Sequence, residues 1–246
     1  MTPLRLRDLK HLALAGLPAL SVEGAKAAIR AALEERLEDE AFTRAWRVAA
    51  NTAGWLGRDA ARLLFGLAHS GPGEGRVVEI GAYVGRATIV LAHGLEARGS
   101  DEQVVSIDPH QALLYGDDDG GLPPADTLPL LLRNLEDAGV RKRVAVVRAT
   151  SAEAAAQWDE PIRLLYVDGL HDTASVIQDV ELWTPFLVEE GVVIFDDYPI
   201  VSVQRTLEEC TRRGRLRGGP QIVGAAAAFG LTDRDAVRRY VFPRAL

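Results

Sequence analysis

Hydrophobic residues follow two different rhythms along this 246-residue chain. Up to about residue 70, apolar positions recur at helical spacing, first over 21–42 behind Ser21, a good N-cap, and again over 58–68. The Gly/Pro-rich stretch "HSGPGEG" then breaks the pattern. Because this part lacks strand-like runs, the sequence predicts an N-terminal helical extension over 1–57 and a main domain over 58–246.

From Arg76 onward, short β-branched runs alternate with helical patterns. The runs occupy 76–80, 103–108, 143–148, 163–168 and 191–196, and the helical patterns lie near 86–98, 126–138, 152–158, 173–187 and 201–213. Continuous apolar runs between helices are typical of a parallel sheet that is covered on both faces. Two closing strands are predicted in "QIVGAAAAFGL" (221–231) and "AVRRYVF" (236–242). The predicted fold is α/β: a Rossmann-like, doubly wound, mostly parallel seven-stranded sheet with helices on both faces.

Charge and composition exclude several classes of protein. The chain has 35 acidic and 28 basic residues and a net charge of −7, which argues against a nucleic-acid binder. Its single cysteine, Cys210, excludes a disulfide framework. Neither a secretory signal nor an apolar run of membrane-spanning length is visible, so we expect a cytoplasmic protein that binds no membrane. The polar stretch 116–126 ("GDDDGGLPPAD") is interpreted as a solvated loop that covers the substrate, rather than as a calcium site.

Carboxylates mark the ends of the predicted strands. Four of the five strand ends carry one, at Glu79, Asp108, Asp168 and the pair Asp196–Asp197. In a parallel α/β sheet, ligands bind beyond the carboxyl ends of the strands, so these residues are candidates for a site. Because adjacent carboxylates repel each other, the pair needs an explanation: a solvated turn, a helix cap or part of a metal site.

The stretch "VVEIGAYVGRATIVLA" (77–92) predicts a strand, a glycine turn and a helix. Gly81 and Gly85 permit a positive φ and a close approach of the backbone to a ligand. Their spacing, E-x-G-x-x-x-G, differs from dinucleotide and phosphate loops, and a tight turn with glycines for packing alone is the alternative. Asp108 has two interpretations as well: it accepts both hydroxyls of a ribose, or it is a turn residue before Pro109.

Together, these residues resemble the motifs of class I S-adenosylmethionine-dependent methyltransferases, over about residues 58–246. The resemblance implies that the glycine turn passes under the methionine part of the cofactor, that Asp108 holds the ribose, and that the loop after the third strand lies near the adenine. The cofactor-binding residues that it implies are Glu79, Gly81, Ala82, Tyr83, Gly85, Asp108, Ser151 and Asp168.

Residues 166–198 resemble metal-dependent O-methyltransferases that act on sugars of macrolide antibiotics, and more distantly catechol-type O-methyltransferases. The resemblance implies one Mg²⁺ (or Mn²⁺) on Asp168, Asp196 and Asp197, which offer the hard oxygen ligands that Mg²⁺ prefers. It also implies that His171, in "DGLHDT", is the general base and that Asp168 takes part in catalysis. One of the aspartates as the base stays open.

The resemblance implies an S-adenosylmethionine-dependent, Mg²⁺-assisted O-methyltransferase that acts on a small hydroxylated molecule, with a sugar of a secondary metabolite as one candidate. Two alternatives stay open: an N-methyltransferase of a small amine, and a nucleoside-cofactor-binding relative in antibiotic biosynthesis that transfers no methyl group. The apolar faces of the N-terminal helices, with Trp46 and Trp55 as candidate exposed residues, predict a homodimer or higher homo-oligomer.

Overall fold

The computed structural model describes residues 22–111, 126–231 and 240. Within these residues the chain forms seven α-helices: α1 (Val22–Ala49), α2 (Arg58–Ser70), α3 (Arg86–Arg98), α4 (Leu128–Asp137), α5 (Ser151–Ala155), α6 (Thr173–Trp183) and α7 (Val201–Arg212). The same residues form seven strands: β1 (Arg76–Ile80), β2 (Val104–Ile107), β3 (Val144–Val147), β4 (Ile162–Val167), β5 (Leu187–Phe195), β6 (Gln221–Val223) and β7 (Ala226–Phe229). Single 3₁₀ turns lie at Arg141–Arg143 and Thr184–Phe186.

The seven strands form one sheet in the order β3-β2-β1-β4-β5-β7-β6. Strands β1 to β5 run parallel, whereas β7 is antiparallel to β5 and to β6. The predicted Rossmann-like, mostly parallel seven-stranded sheet is therefore confirmed. Strand order reverses between β1 and β4, and such a switch point is where this architecture binds ligands.

The closing strands differ from the prediction. Residues 221–231 were expected to form one strand, but they form both β6 and β7, so that prediction is wrong. The physical reason is a tight turn between the two strands, where Gly224 adopts a φ of +60° that reverses the chain. The other predicted strand, 236–242, lies outside the described residues, apart from Tyr240, which is helical and buried.

Apolar residues pack on both faces of the sheet, as expected for a doubly wound fold. The buried apolar residues form two clusters, one on each face of the sheet. In β1, Val77 packs in the first cluster, on the face of α2 and α3, and Val78 packs in the second, on the face of α6 and α7. The first cluster includes Phe65 and the second includes Trp183, both of which are fully buried. Because the sheet is dry on both sides, polar strand residues can reach solvent only at its edges and strand ends.

The chain divides into two compact units, Met1–Glu40 and Ala41–Leu246. Within the second unit, the end of α1 is part of the core, because Phe42, Ala45 and Ala49 are buried in the cluster that contains Phe65. A functional boundary after residue 57 stays a prediction. None of the helices in the described residues has both the length and the apolar character needed to cross a membrane.

Candidate active site

Backbone hydrogen bonds bring the ends of the central strands to one edge of the sheet. The N–H of Asp168, just after β4, donates to the carbonyl of Ile80 at the end of β1 (2.8 Å). The N–H of Asp196, just after β5, donates to Val167 in the same way (3.0 Å). These bonds align the carboxyl ends of β1, β4 and β5, so the residues that follow them share one surface.

A cleft of about 350 Å³ opens at this edge. Four segments line it: residues 53–56, residues 81–83 with Arg86 and Ala87, residues 168–171, and Asp196–Asp197 with Ile200. Among the predicted cofactor-binding residues, the lining includes Gly81, Ala82, Tyr83 and Asp168. It also includes all three predicted metal ligands and His171. The cleft therefore brings together residues that are more than 100 positions apart in the sequence.

Two carboxylates and one imidazole crowd together in the cleft. His171 Nε2 lies 3.0 Å from Asp197 Oδ2 and 3.9 Å from Asp168 Oδ1. These contacts are close charge pairs, because His171 Nε2 makes no aligned hydrogen bond to either carboxylate. Interactions with Asp168 and then Asp197 raise the pKa of His171 to about 10, because two negative groups stabilise the imidazolium. One atom from each of these three residues lies within 4.8 Å of the others, a spacing that could hold a metal ion.

Asp196 has different surroundings from its neighbour. It is 9% exposed, and its Oδ2 accepts a hydrogen bond from the Tyr166 hydroxyl (2.7 Å), while its Oδ1 accepts one from the Asp197 N–H (2.9 Å). Burial raises the pKa of Asp196 to about 6. The Tyr166 hydroxyl also lies 3.3 Å from Asp168 Oδ2, so it ties the two strand-end carboxylates together.

The two simpler explanations of the aspartate pair do not account for Asp196. Asp196 is buried, so it is not a solvated turn residue, and Ile200 is the N-cap of α7, so neither aspartate caps that helix. Asp197 is partly exposed, and its carbonyl accepts the Ile200 N–H (2.9 Å) in the turn before α7. Asp197 adopts a φ of +53°, a conformation that costs a non-glycine residue free energy and is often found at functional sites. Oxygen donors such as Asp168 and Asp197 fit Mg²⁺, whereas a role for Asp196 as a direct ligand stays a prediction.

The glycine turn after β1 is shaped by its neighbours. A Cβ on Gly81, whose φ is +87°, would collide with the carbonyl oxygen of Asp168. Glycine is needed here because the ends of β1 and β4 approach each other closely, which explains the residue without a ligand. Behind the turn, Asp108 Oδ2 accepts the N–H of Tyr83 (2.8 Å), and its Oδ1 accepts the N–H of His110 (2.6 Å).

Four predicted cofactor-binding residues do not line the cleft: Glu79, Gly85, Asp108 and Ser151. Asp108 is fully buried, and Gly85 is the left-handed N-cap of α3, packed near Leu131. The Ser151 hydroxyl donates to Asp179 and accepts from Trp183 Nε1, so it faces α6. Direct cofactor contacts of these residues stay predictions.

Glu79 is buried in β1, and its Oε2 accepts hydrogen bonds from the hydroxyls of Thr88 (2.6 Å) and Ser106 (2.9 Å). Its other oxygen, Oε1, has no hydrogen-bond partner among the described residues. Burial raises the pKa of Glu79 to about 8, despite the two hydroxyl donors. This carboxyl group is therefore mostly protonated at neutral pH.

Sequence reasoning missed several residues of the site. Tyr166 had a signal, because it lies two positions before Asp168 and period-2 alternation directs both side chains to one face of the sheet. Trp55 was predicted to be exposed and to serve assembly, but it lines the cleft, 60% exposed, and stacks on Tyr83 with ring centroids 5.7 Å apart. Trp46, its predicted companion, packs instead against the core.

Comparison with known proteins agrees with the observed fold. Residues 78–198 match a family model described as a methyltransferase domain. The O-methyltransferase NovP superimposes with a TM-score of 0.61 and 17% identity, over 72% of this chain and 81% of NovP. Cofactor-bound Rv0187 from MTB superimposes with a TM-score of 0.56 and 20% identity, over 94% of this chain and 100% of Rv0187. A third match is TomG from Streptomyces achromogenes, an O-methyltransferase of tomaymycin synthesis in complex with SAM. It superimposes with a TM-score of 0.50 and 18% identity, over 79% of this chain and 90% of TomG. At these identities the structural matches show the fold.

Proposed function

Since this chain belongs to the class I S-adenosylmethionine-dependent methyltransferases, we propose that it is a Mg²⁺-assisted O-methyltransferase of a small hydroxylated molecule. The observation that carries the proposal is the group of Asp168, His171 and Asp197 in the cleft beside the glycine turn. Methyl transfer to oxygen needs a methyl donor and an acceptor hydroxyl group that can lose its proton. The glycine turn is suited to bind the donor, and Asp168, His171 and Asp197 are suited to bind and ionise the hydroxyl group.

The cleft suits the charge of the proposed cofactor. S-adenosylmethionine supplies an activated methyl group on a positively charged sulfur. The described charged residues of the lining comprise three aspartates against His171 and Arg86, and carboxylates favour a cationic ligand. The turn at Gly81–Tyr83 exposes backbone to the cleft, and Asp108 holds this turn from behind through the Tyr83 N–H.

Asp168, Asp197 and, as predicted, Asp196 would hold the metal. When bound, Mg²⁺ supplies Lewis acidity that lowers the pKa of a hydroxyl group. Without a cation, His171 has a pKa of about 10 and carries its proton at neutral pH, so it cannot act as a base there. A cation that compensated the charge of Asp168 and Asp197 would lower the pKa of His171 and would suit its imidazole to accept a hydroxyl proton near neutrality. The metal proposal and the general-base proposal therefore depend on each other.

The test uses the purified chain with methyl-labelled S-adenosylmethionine and a set of small hydroxylated and amine-bearing metabolites, with either Mg²⁺ or excess chelator. We expect label on an oxygen of the product, and only when Mg²⁺ is present. Label on nitrogen that is insensitive to chelation would favour the N-methyltransferase alternative. Cofactor binding without transfer to any acceptor would favour the relative that transfers no methyl group. The sugar acceptor that the sequence suggested is tested by including glycosides in the set.

Assembly into a homodimer is a further proposal, supported by exposed apolar residues on α1. Leu33 and Leu37 are 46% and 64% exposed, and their spacing of four residues places them on one face of the helix. Burying such a face between two copies would remove it from water. Light scattering should show a dimer, and Leu37→Glu should shift it toward monomer. A monomeric wild-type chain at micromolar concentration would contradict the proposal.

A further inference from the structure

A buried tyrosine reaches the candidate metal site from inside the sheet. Tyr166 lies in β4 and is fully buried in the cluster that contains Phe65. It pairs with Ile194 of β5, so Asp168 and Asp196 each come two positions later in these neighbouring strands. Side chains two positions apart on a strand point to the same face of the sheet. The fold therefore places one phenolic hydroxyl beside two strand-end carboxylates.

This hydroxyl fixes the orientation of the Asp196 carboxylate. It donates to Oδ2 (2.7 Å), and the backbone N–H of Asp197 donates to Oδ1 (2.9 Å). Because the two donors hold opposite oxygens of one carboxylate, that group cannot rotate without losing a hydrogen bond. Asp196 is buried, so a lost bond would leave an oxygen without a partner, which costs free energy. The backbone donor belongs to every variant of the chain, whereas the bond from Tyr166 depends on a side chain.

The other two aspartates of the site are less restrained. The side chains of Asp168 and Asp197 are 32% and 36% exposed, and together with His171 they offer atoms that lie within 4.8 Å of one another. Among the described residues, Asp196 is not part of that group. The site thus combines two carboxylates that face the cleft with a third that is held in place behind them.

Freedom of the carboxylates is one of the properties that separate Mg²⁺ sites from Ca²⁺ sites. Mg²⁺ keeps several of its waters, requires nearly octahedral geometry and is usually bound by one or two carboxylates. Ca²⁺ binds about six to eight oxygens, often both oxygens of one carboxylate, in sites that can adapt to it. A third carboxylate that is prevented from turning toward the ion therefore favours Mg²⁺ over Ca²⁺.

We propose that Tyr166 is a positioning residue that makes this site select Mg²⁺ over Ca²⁺, by restraining Asp196. The inference rests on the proposed function, from which it takes the metal site, and it adds the residue that determines the choice of ion. Tyr166 acts through Asp196 and not by contact with the ion. Without the hydroxyl, the Asp196 carboxylate is free to turn and to offer both of its oxygens, an arrangement that stabilises Ca²⁺ more than Mg²⁺.

The test measures ion binding to the full chain and does not depend on turnover. Bound Mn²⁺ is followed by electron paramagnetic resonance while Mg²⁺ or Ca²⁺ displaces it. We expect Mg²⁺ to displace Mn²⁺ from the wild type at lower concentration than Ca²⁺ does. In Tyr166→Phe this preference should fall by about tenfold, the size expected for one hydrogen bond to a charged group, because Ca²⁺ binds more tightly.

Two further variants show where the effect comes from. Tyr240→Phe is the matched control, because Tyr240 is buried in the same cluster as Tyr166 but does not line the cleft, and it should keep the wild-type preference. In an Asp196→Asn background, Tyr166→Phe should no longer change the preference, since the carboxylate that it would release is absent.

Four results would overturn the inference. A wild-type chain from which Ca²⁺ displaces Mn²⁺ as well as Mg²⁺ does has no preference to explain, and this measurement needs no variant. The second result is an unchanged preference in Tyr166→Phe. The third is equal weakening of both ions in that variant, as expected if the hydroxyl only supports packing. The fourth is a tenfold fall that persists in the Asp196→Asn background.

Failure of this inference can be distinguished from failure of the proposed function. If the wild type binds Mg²⁺ but any of the four results is found, only the role of Tyr166 is wrong. If the wild type binds neither Mn²⁺ nor Mg²⁺, the Mg²⁺-assisted function fails, and the role of Tyr166 fails with it.

Discussion

The two halves of the candidate site treat their carboxylates in opposite ways. At the ends of β1 and β2, Glu79 and Asp108 are fully buried and accept hydrogen bonds from hydroxyls and backbone N–H groups of the chain. At the ends of β4 and β5, Asp168 and Asp197 are partly exposed to the cleft, and His171 is the cation beside them. The fold compensates the first pair, because burial keeps Glu79 mostly protonated and Asp108 accepts two backbone N–H groups, whereas the second pair leaves negative charge that a bound cation can neutralise.

This difference indicates that the two groups of carboxyl groups have different roles. Buried carboxyl groups that accept internal hydrogen bonds shape the backbone and do not need a bound cation. Carboxylates that repel each other at the mouth of a cleft store unfavourable electrostatic energy, which binding of a cation relieves. We therefore expect substitutions at β4 and β5 to affect metal-dependent chemistry, and substitutions at β1 and β2 to affect cofactor affinity and stability.

The largest effect is expected from removal of the proposed Mg²⁺, or from substitution of one of the carboxylates proposed to bind it. Excess chelator should abolish turnover, and Mg²⁺ or Mn²⁺ should restore it. Asp168→Asn should lower kcat by about 10³-fold, because an amide loses the charge that attracts the ion. Affinity for S-adenosylmethionine, measured by calorimetry, should change little. Asp101→Asn, an exposed carboxylate before β2, is the matched control. Full activity in excess chelator would show that the carboxylates at the ends of β4 and β5 need no metal for activity, and would contradict the difference between the two halves.

His171→Ala is expected to have the next largest effect, a fall in kcat of about 10²–10⁴-fold, the usual range for loss of a general base. The rise of the rate with pH that reflects deprotonation of His171 should also disappear. Binding of Mn²⁺, followed by electron paramagnetic resonance, distinguishes two roles. Retained Mn²⁺ affinity supports a base; lost affinity would make His171 a ligand and leave an aspartate as the base.

Asp108→Asn tests the compensated half. One amide oxygen cannot accept from both the Tyr83 N–H and the His110 N–H, so the turn that faces the cleft should loosen. We expect S-adenosylmethionine to bind more weakly by about 1–3 kcal/mol, with the metal affinity unchanged. Asp137→Asn, an exposed carboxylate at the end of α4, is the matched control and should leave cofactor affinity as it is. An unaltered calorimetric profile for Asp108→Asn would exclude this residue from cofactor binding.

The smallest effect, on stability alone, is expected for Glu79→Gln. Glu79 has a pKa of about 8 in the folded chain and an ordinary value of 4.5. The folded state therefore binds more protons than the unfolded state between these values, and the wild type loses stability as the pH rises from about 4.5 to about 8. Glutamine does not titrate, so urea unfolding should show a smaller loss between pH 5 and pH 8 in the variant. Equal pH dependence of the two chains would show that Glu79 is ionised in the fold.

Much of the fold could be predicted from local patterns, and the exception is instructive. The predicted helix over 86–98 matches α3 because its apolar spacing and the glycine on each side act locally. The hairpin of β6 and β7 was missed because one predicted strand over 221–231 ran through the turn at Gly224, and a single glycine in an apolar run does not by itself indicate a reversal of the chain. Ala226–Ala228 form a strand of their own because β5 on one side and β6 on the other pair with their backbone, a tertiary effect.

The sequence by itself determined which residues come at the strand ends, since apolar periodicity locates each strand and hence the residue that follows it. Only the tertiary structure decided which carboxylates are compensated, because that depends on the strand order that puts β1 between β2 and β4. Thr88 and Ser106 reach Glu79, and Tyr166 reaches Asp196, across neighbouring strands and helices. The same applies to Trp55, whose place on the cleft depends on Arg86, 31 positions further along the chain, and no local pattern encodes such a contact.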